Sequence, residues 1–212
     1  SDDGELALAQ IATFGETVHT FVDRGRFTGT TLAPGYEASG LPQSTVGPPV
    51  GLLQIDHVVG NVERGELDRW VAFYCDVLGF RSLQHFSEDQ IRTEHSALKS
   101  TVVSAGHGVT MPLNEPADGL KRSQIQEYVE QYDGPGVQHL ALRTDDIVAT
   151  VSALRARGVR FMRVPDTYYD AAKQRLAGFD LPWDDLQRLK ILVDRDHDGY
   201  LLQIFTETIT DR

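Results

Sequence analysis

The chain has 212 residues, 41% of them hydrophobic, and a formal net charge of −11, which is enough apolar material for one sizeable core or two small ones. The acidic balance argues against a nucleic-acid partner, because such a surface repels phosphate backbones, and no apolar run reaches the roughly 18–20 residues that span a bilayer. Cys75 is the only cysteine, so an internal disulfide and a cysteine-rich zinc site are both excluded. The first residues show no signal-peptide pattern, and the chain reads as a soluble, cytoplasmic globular protein.

Residues 5–12 and 17–22 alternate around Gly15 and predict a hairpin. From Arg24 to Pro49 the sequence turns rich in Gly, Pro, Ser and Thr, which predicts a linker. A hairpin alone is poorly stable, so this one is expected to pack on the body of the protein. The next elements are a strand from Leu53, a helix from Glu66 to Leu78, and strands at 81–86, 95–105 and 109–113. Ala105-Gly106-His107-Gly108 reads as a hairpin turn. A helix from Ser123, its N-cap, to Tyr132 leads to a strand at 137–142. A helix over 145–157 and a strand at 160–164 follow. An excursion over 165–189 holds a short helix around Trp183–Leu189, and the arms of a last hairpin stand at 190–193 and 200–205.

Two stretches repeat one another. Ile55-Asp56-His57-Val58-Val59 and Val137-Gln138-His139-Leu140-Ala141-Leu142 are each a short apolar run with one polar residue before a histidine. Each leads into a helix, a glycine and a new strand. This is a duplicated unit, and duplication lets His57 and His139 converge on one point. Neutral imidazoles suit Fe, Zn, Cu and Ni, and two of them with one carboxylate make the face of non-heme Fe(II) oxygenases. On the pattern alone, a metal pair and two core histidines bonded to backbone both stay open. His19, His85, His95 and His107 read as strand or turn residues. Asp194-Arg195-Asp196-His197-Asp198-Gly199 imitates the opening of a calcium loop, but position 12 is Phe205 where that loop needs Glu; it reads as a polar β-turn.

Several further runs, kept in order and spacing, carry a resemblance. They are Asp56-His57-Val58-Val59-Gly60-Asn61-Val62, Asn114-Glu115-Pro116, Ser123-Gln124-Ile125, Gly136-Val137-Gln138-His139-Leu140-Ala141-Leu142, Pro165-Asp166-Thr167-Tyr168-Tyr169 and Gly199-Tyr200-Leu201-Leu202-Gln203-Ile204-Phe205. Together they closely resemble the 4-hydroxyphenylpyruvate dioxygenase family of the vicinal-oxygen-chelate superfamily, almost from end to end. The resemblance implies an α+β fold of tandem βαβββ modules, with a curved mixed sheet enclosing a metal site and helices outside. It divides the chain into residues 1–24, similar to the end of a preceding domain, a linker at 25–50, and a catalytic-type domain at 51–212. That domain would hold modules at 51–116 and 137–212, the second incomplete.

The resemblance also implies Fe(II) on His57 and His139, and an aromatic 2-oxo acid, 4-hydroxyphenylpyruvate, that reacts with O2 to give homogentisate and CO2. Ser100, Asn114, Gln124, Gln138, Gln203 and Phe205 match substrate-binding positions, and a homo-oligomer is expected. The family's third ligand, a glutamate, would fall just beyond Arg212, and Glu207 matches no ligand position. The chain therefore resembles an internal piece of a longer enzyme. Two alternatives stay open: a 4-hydroxymandelate synthase using the same substrate and metal, and an inactive fragment or binding module.

Overall fold

The computed structural model describes residues 4–31, 33–37, 47–86, 98–117, 122–195 and 199–208. His95 and the middle of the 194–199 turn lie outside them. The chain divides into two compact units, Ser1–Gly47 with Ile55–Ala141, and Pro48–Gln54 with Leu142–Arg212.

The first unit begins with the expected hairpin, β1 (Gly4–Ala12) against β2 (Val18–Phe27), antiparallel with Leu8 opposite Val22. Two anchors hold it. Phe14, in the turn between the strands, is fully buried and meets Trp70 edge-on, ring centres 5.8 Å apart. The second anchor is polar. The Tyr74 hydroxyl lies 2.7 Å from His19 Nε2 and 3.3 Å from Thr13 Oγ1, and burial lowers the pKa of His19 and raises that of Tyr74.

Beyond the hairpin stand β3 (Gln54–Asn61), α1 (Leu67–Leu78), β4 (Arg81–Phe86), β5 (Leu98–Gly106) and β6 (Val109–Pro116). This is one complete βαβββ unit. Then come α2 (Gln124–Tyr132) and β7 (Gly136–Arg143). One mixed sheet takes the order β4-β5-β6-β3-β7. β4, β5 and β6 form an antiparallel meander, and β3 returns parallel to β6, with Asn61 opposite Asn114. Leu67 and Tyr74 from α1 are buried with Val103, Met111 and Leu113 from the sheet. Gly60 passes beneath the hairpin anchor: a Cβ there would stand 2.5 Å from Phe14 Cζ, closer than packed carbon atoms approach.

Helix α1 owes its start to a distant residue. Glu66 precedes it but makes no side-chain cap. Glu115, buried on β6, instead accepts from Leu67 N through Oε2 at 3.0 Å, while its Oε1 lies 3.2 Å from Lys99 Nζ. A carboxylate at a helix N-terminus satisfies an orphan donor and favours the helix dipole. The middle residue of the Asn-Glu-Pro run thus joins sheet to helix.

The second unit contains α3 (Ile147–Ala156), capped by Asp146, whose Oδ1 accepts from Ala149 N at 2.9 Å. It continues through α4 (Thr167–Arg175), α5 (Trp183–Leu189) and the hairpin of β8 (Leu192–Arg195) with β9 (Tyr200–Gln203). Its core gathers Val151, Phe161, Tyr169, Leu176, Leu186 and Ile191. The Tyr-Tyr pair fastens α4 to the segment entering β8: Tyr168 Oη donates to Val193 O and accepts from Val193 N, and Tyr169 Oη donates to Ile191 O.

Two expectations need correction here. The strand at 160–164 is only a bridge, Phe161 to Thr206, flanked by Met162 N to Phe205 O at 2.9 Å and Glu207 N to Arg160 O at 3.1 Å. Among the described residues pairing goes no further, and Pro165 offers no N–H to extend it. The 165–189 excursion also holds a second helix, α4, whose buried Tyr169, Ala172 and Leu176 stand at helical spacing.

Candidate metal centre

His57 is the fourth residue of β3 and His139 the fourth of β7, and these strands are neighbours in the sheet. Their rings meet at a centroid distance of 5.9 Å and an interplanar angle of 71°. Two metal–nitrogen bonds of about 2.0–2.1 Å to one ion put imidazole centres at most roughly 6.4 Å apart, counting a ring radius of about 1.1 Å. The pair lies inside that reach.

Each ring is oriented by the residue before it. Asp56 Oδ2 stands 2.7 Å from His57 Nδ1, and Gln138 Oε1 stands 2.9 Å from His139 Nδ1. Both partners are oxygen acceptors, so Nδ1 carries the proton and donates. That tautomer puts the ring lone pair on Nε2, the atom a metal would take. Burial first, and then the neighbouring His57 charge, push the His139 pKa down from 6.5 to about 4. His139 is therefore a neutral imidazole at neutral pH, as a ligand must be.

The donor chemistry fits two corners of a metal-binding face. Among the described residues no group of three or more His, Cys, Asp and Glu side chains could hold an ion, so a third protein donor is not found among them.

The other predicted positions fall in three places. Ser100, buried on β5, is the register partner of Asn114 on β6. Asn114 Nδ2 donates to Oδ1 of the fully buried Asn61 across 3.4 Å, and Asn61 Nδ2 finds no partner among the described residues. Gln124 opens α2, whose N-cap Ser123 accepts from Ile125 N at 3.2 Å; the Gln124 side chain is exposed. Gln203 and Phe205 lie in the second unit, Gln203 opposite Leu192 and Phe205 accepting from Met162 N. The structure thus pairs His57 with His139, Gln138 with His139, and Ser100 with Asn114.

Asp56 and Asn61 were not singled out as site residues from sequence. For Asp56 the signal was available, since a polar residue precedes the histidine in both copies. Asn61 gave none, because a lone Asn at a strand end is also an ordinary turn residue.

A model of the glyoxalase/bleomycin resistance protein/dioxygenase superfamily matches residues 54–204. The chain belongs to this superfamily. Within the superfamily, it is 48% identical to a 4-hydroxyphenylpyruvate dioxygenase of Aspergillus fumigatus, over 100% of this chain and 54% of that protein. It is 45% identical to one of Dictyostelium discoideum, over 100% and 59% respectively. Among solved structures, a triple mutant of 4-hydroxymandelate synthase from Streptomyces coelicolor overlays with a TM-score of 0.70 at 36% identity, covering 93% of this chain and 55% of that one. The chain spans about half the length of the relatives it matches. No helix among the described residues is long and apolar enough to cross a membrane.

Proposed function

We propose that the chain is the metal- and substrate-binding part of an Fe(II)-dependent dioxygenase that converts 4-hydroxyphenylpyruvate and O2 to homogentisate and CO2. The observation that carries this reading is the His57–His139 pair, with each Nδ1 hydrogen-bonded by the preceding residue. Full-chain similarity to 4-hydroxyphenylpyruvate dioxygenases supports the choice of substrate.

In this reading His57 and His139 hold the ion through Nε2, and a carboxylate from outside the described residues takes the third corner. When bound, iron(II) supplies a Lewis-acidic centre for the 2-oxo acid and the redox chemistry that activates dioxygen. The chain's own residues do the rest. Asp56 and Gln138 fix tautomer and ring direction. Ser100 and Asn114 offer a hydroxyl and an amide to the phenol without adding charge, and Gln124 serves the same end. Gln203 and Phe205, in the second unit, match substrate-binding positions of the family, where an amide and an aromatic face suit a phenol. The organisation into residues 1–24, a linker at 25–50 and a catalytic-type domain at 51–212 belongs to the same proposal, as does a cytoplasmic location.

A second reading, 4-hydroxymandelate synthase, has the structural overlay in its favour. Oxygen uptake and product chromatography with 4-hydroxyphenylpyruvate and Fe(II) separate the two. Homogentisate formation is the expected result. 4-Hydroxymandelate would favour the second reading. Iron binding with neither product would contradict both.

A further inference from the structure

We propose that the second unit carries an oxyanion-binding cavity, fitted to a small organic carboxylate or phosphate ester with an apolar body. The cavity is open to solvent and has a volume of about 740 Å³, within the range of small-molecule sites. Arg155, Arg160, Arg163 and Lys190 line it, with Glu207 as the one carboxylate. Four cations against one anion invert the balance of a chain whose formal charge is −11. None of these side chains is among those proposed to hold the metal or the aromatic substrate.

The charges at the cavity are not all neutralised. Glu207 pairs with Arg160, Oε2 to Nε at 3.1 Å, and Lys190 reaches Asp166. Arg155 has no such partner among the described residues. One of its terminal nitrogens donates to the Leu189 carbonyl at 2.9 Å, its guanidinium lies 5.0 Å from the Phe161 ring centre, and its buried Nε has no hydrogen-bond partner among the described residues. Arg163 is exposed and forms no ion pair with any described residue. A partly buried guanidinium without a counter-charge is costly, and it becomes favourable when a ligand brings the anion. Guanidinium groups also match the planar oxygens of carboxylates and phosphates.

One further feature fits. Met162 lines the same cavity and is half exposed, and with Phe161 and Val164 it gives the cavity an apolar wall. An inorganic ion would use only the charges, whereas an organic anion would also cover Met162.

The test titrates phenyl phosphate, benzoate and inorganic phosphate into the 212-residue chain, reading the Arg155 Nε–H and Met162 methyl NMR signals. Arg163→Glu and Met162→Ala are compared with the unsubstituted chain; both positions are exposed, and an unchanged amide spectrum verifies the fold. Saturable shifts of both signals with phenyl phosphate or benzoate are expected. Arg163→Glu should weaken them about fivefold or more, as the loss of a charge-assisted contact does. Met162→Ala should weaken the organic probes and leave inorganic phosphate unchanged. Non-saturating shifts, affinities untouched by Arg163→Glu, or inorganic phosphate binding as tightly as phenyl phosphate would overturn the proposal.

Discussion

A neutral imidazole can ligate a metal and a protonated one cannot, so the tautomers of the pair and the pKa of His139 decide what it can do. Burial and the neighbouring ring hold His139 down at about 4, against 6.5 in the unfolded chain. In the metal-free protein this makes stability complete above pH 6.5. As pH falls from about 6.5 to about 4 the unfolded chain takes up a proton that the folded chain resists, and stability is lost through that window. His19, shifted the same way by burial, adds to the slope. Denaturant midpoints should fall between pH 7 and pH 5, and His139→Gln should flatten the trend; parallel profiles for the two proteins would contradict the assignment. The residues behind the rings are testable too. Asp56→Ala and Gln138→Ala should each weaken metal binding by about 10–100-fold, the usual cost of losing a ligand's orienting partner, with the fold intact by circular dichroism. Equal affinity in both variants would mean that the two contacts do not orient the ligands.

The elements were legible to the extent that their partners are local. Alternation and the Ser123 cap marked the hairpin and α2. The start of α1 was not legible in full, because its cap comes from Glu115, 48 residues away along the chain. Helix α4 was missed for a related reason: behind Pro165 its polar composition reads as a loop, and only packing onto Leu176, Leu186 and Ile191 shows which face is buried. The bridge at Phe161 fell short of a strand because pairing depends on what lies beside it. Glu115→Ala should therefore destabilise the protein by about 1.5–3 kcal/mol, the range for hydrogen bonds to charged groups. Phe14→Ala, which empties the hairpin anchor, should cost about 3–5 kcal/mol and expose residues 4–27 to proteolysis. Hairpin cleavage no faster than in the unsubstituted chain would show that the Tyr74 contacts alone hold it.

Across the chain, the duplicated pattern was the most informative feature. It put one histidine at the same register in two strands, and the fold makes those strands neighbours. The pairing of His57 with His139 could thus be read from spacing. Gln203 and Phe205, in the second unit, were proposed from the family resemblance alone. With His57 and His139 as the paired donors found among the described residues, the chain should bind iron(II) at one ion per chain. An anaerobic iron(II) titration of the unsubstituted chain, His57→Ala, His139→Ala and the double variant tests the shared site most directly. Each single substitution should abolish the one-to-one binding, and the double should cost no more than either, as for two groups acting on one ion. Binding that survives either single substitution, or losses that simply add, would show that the two histidines do not share a metal.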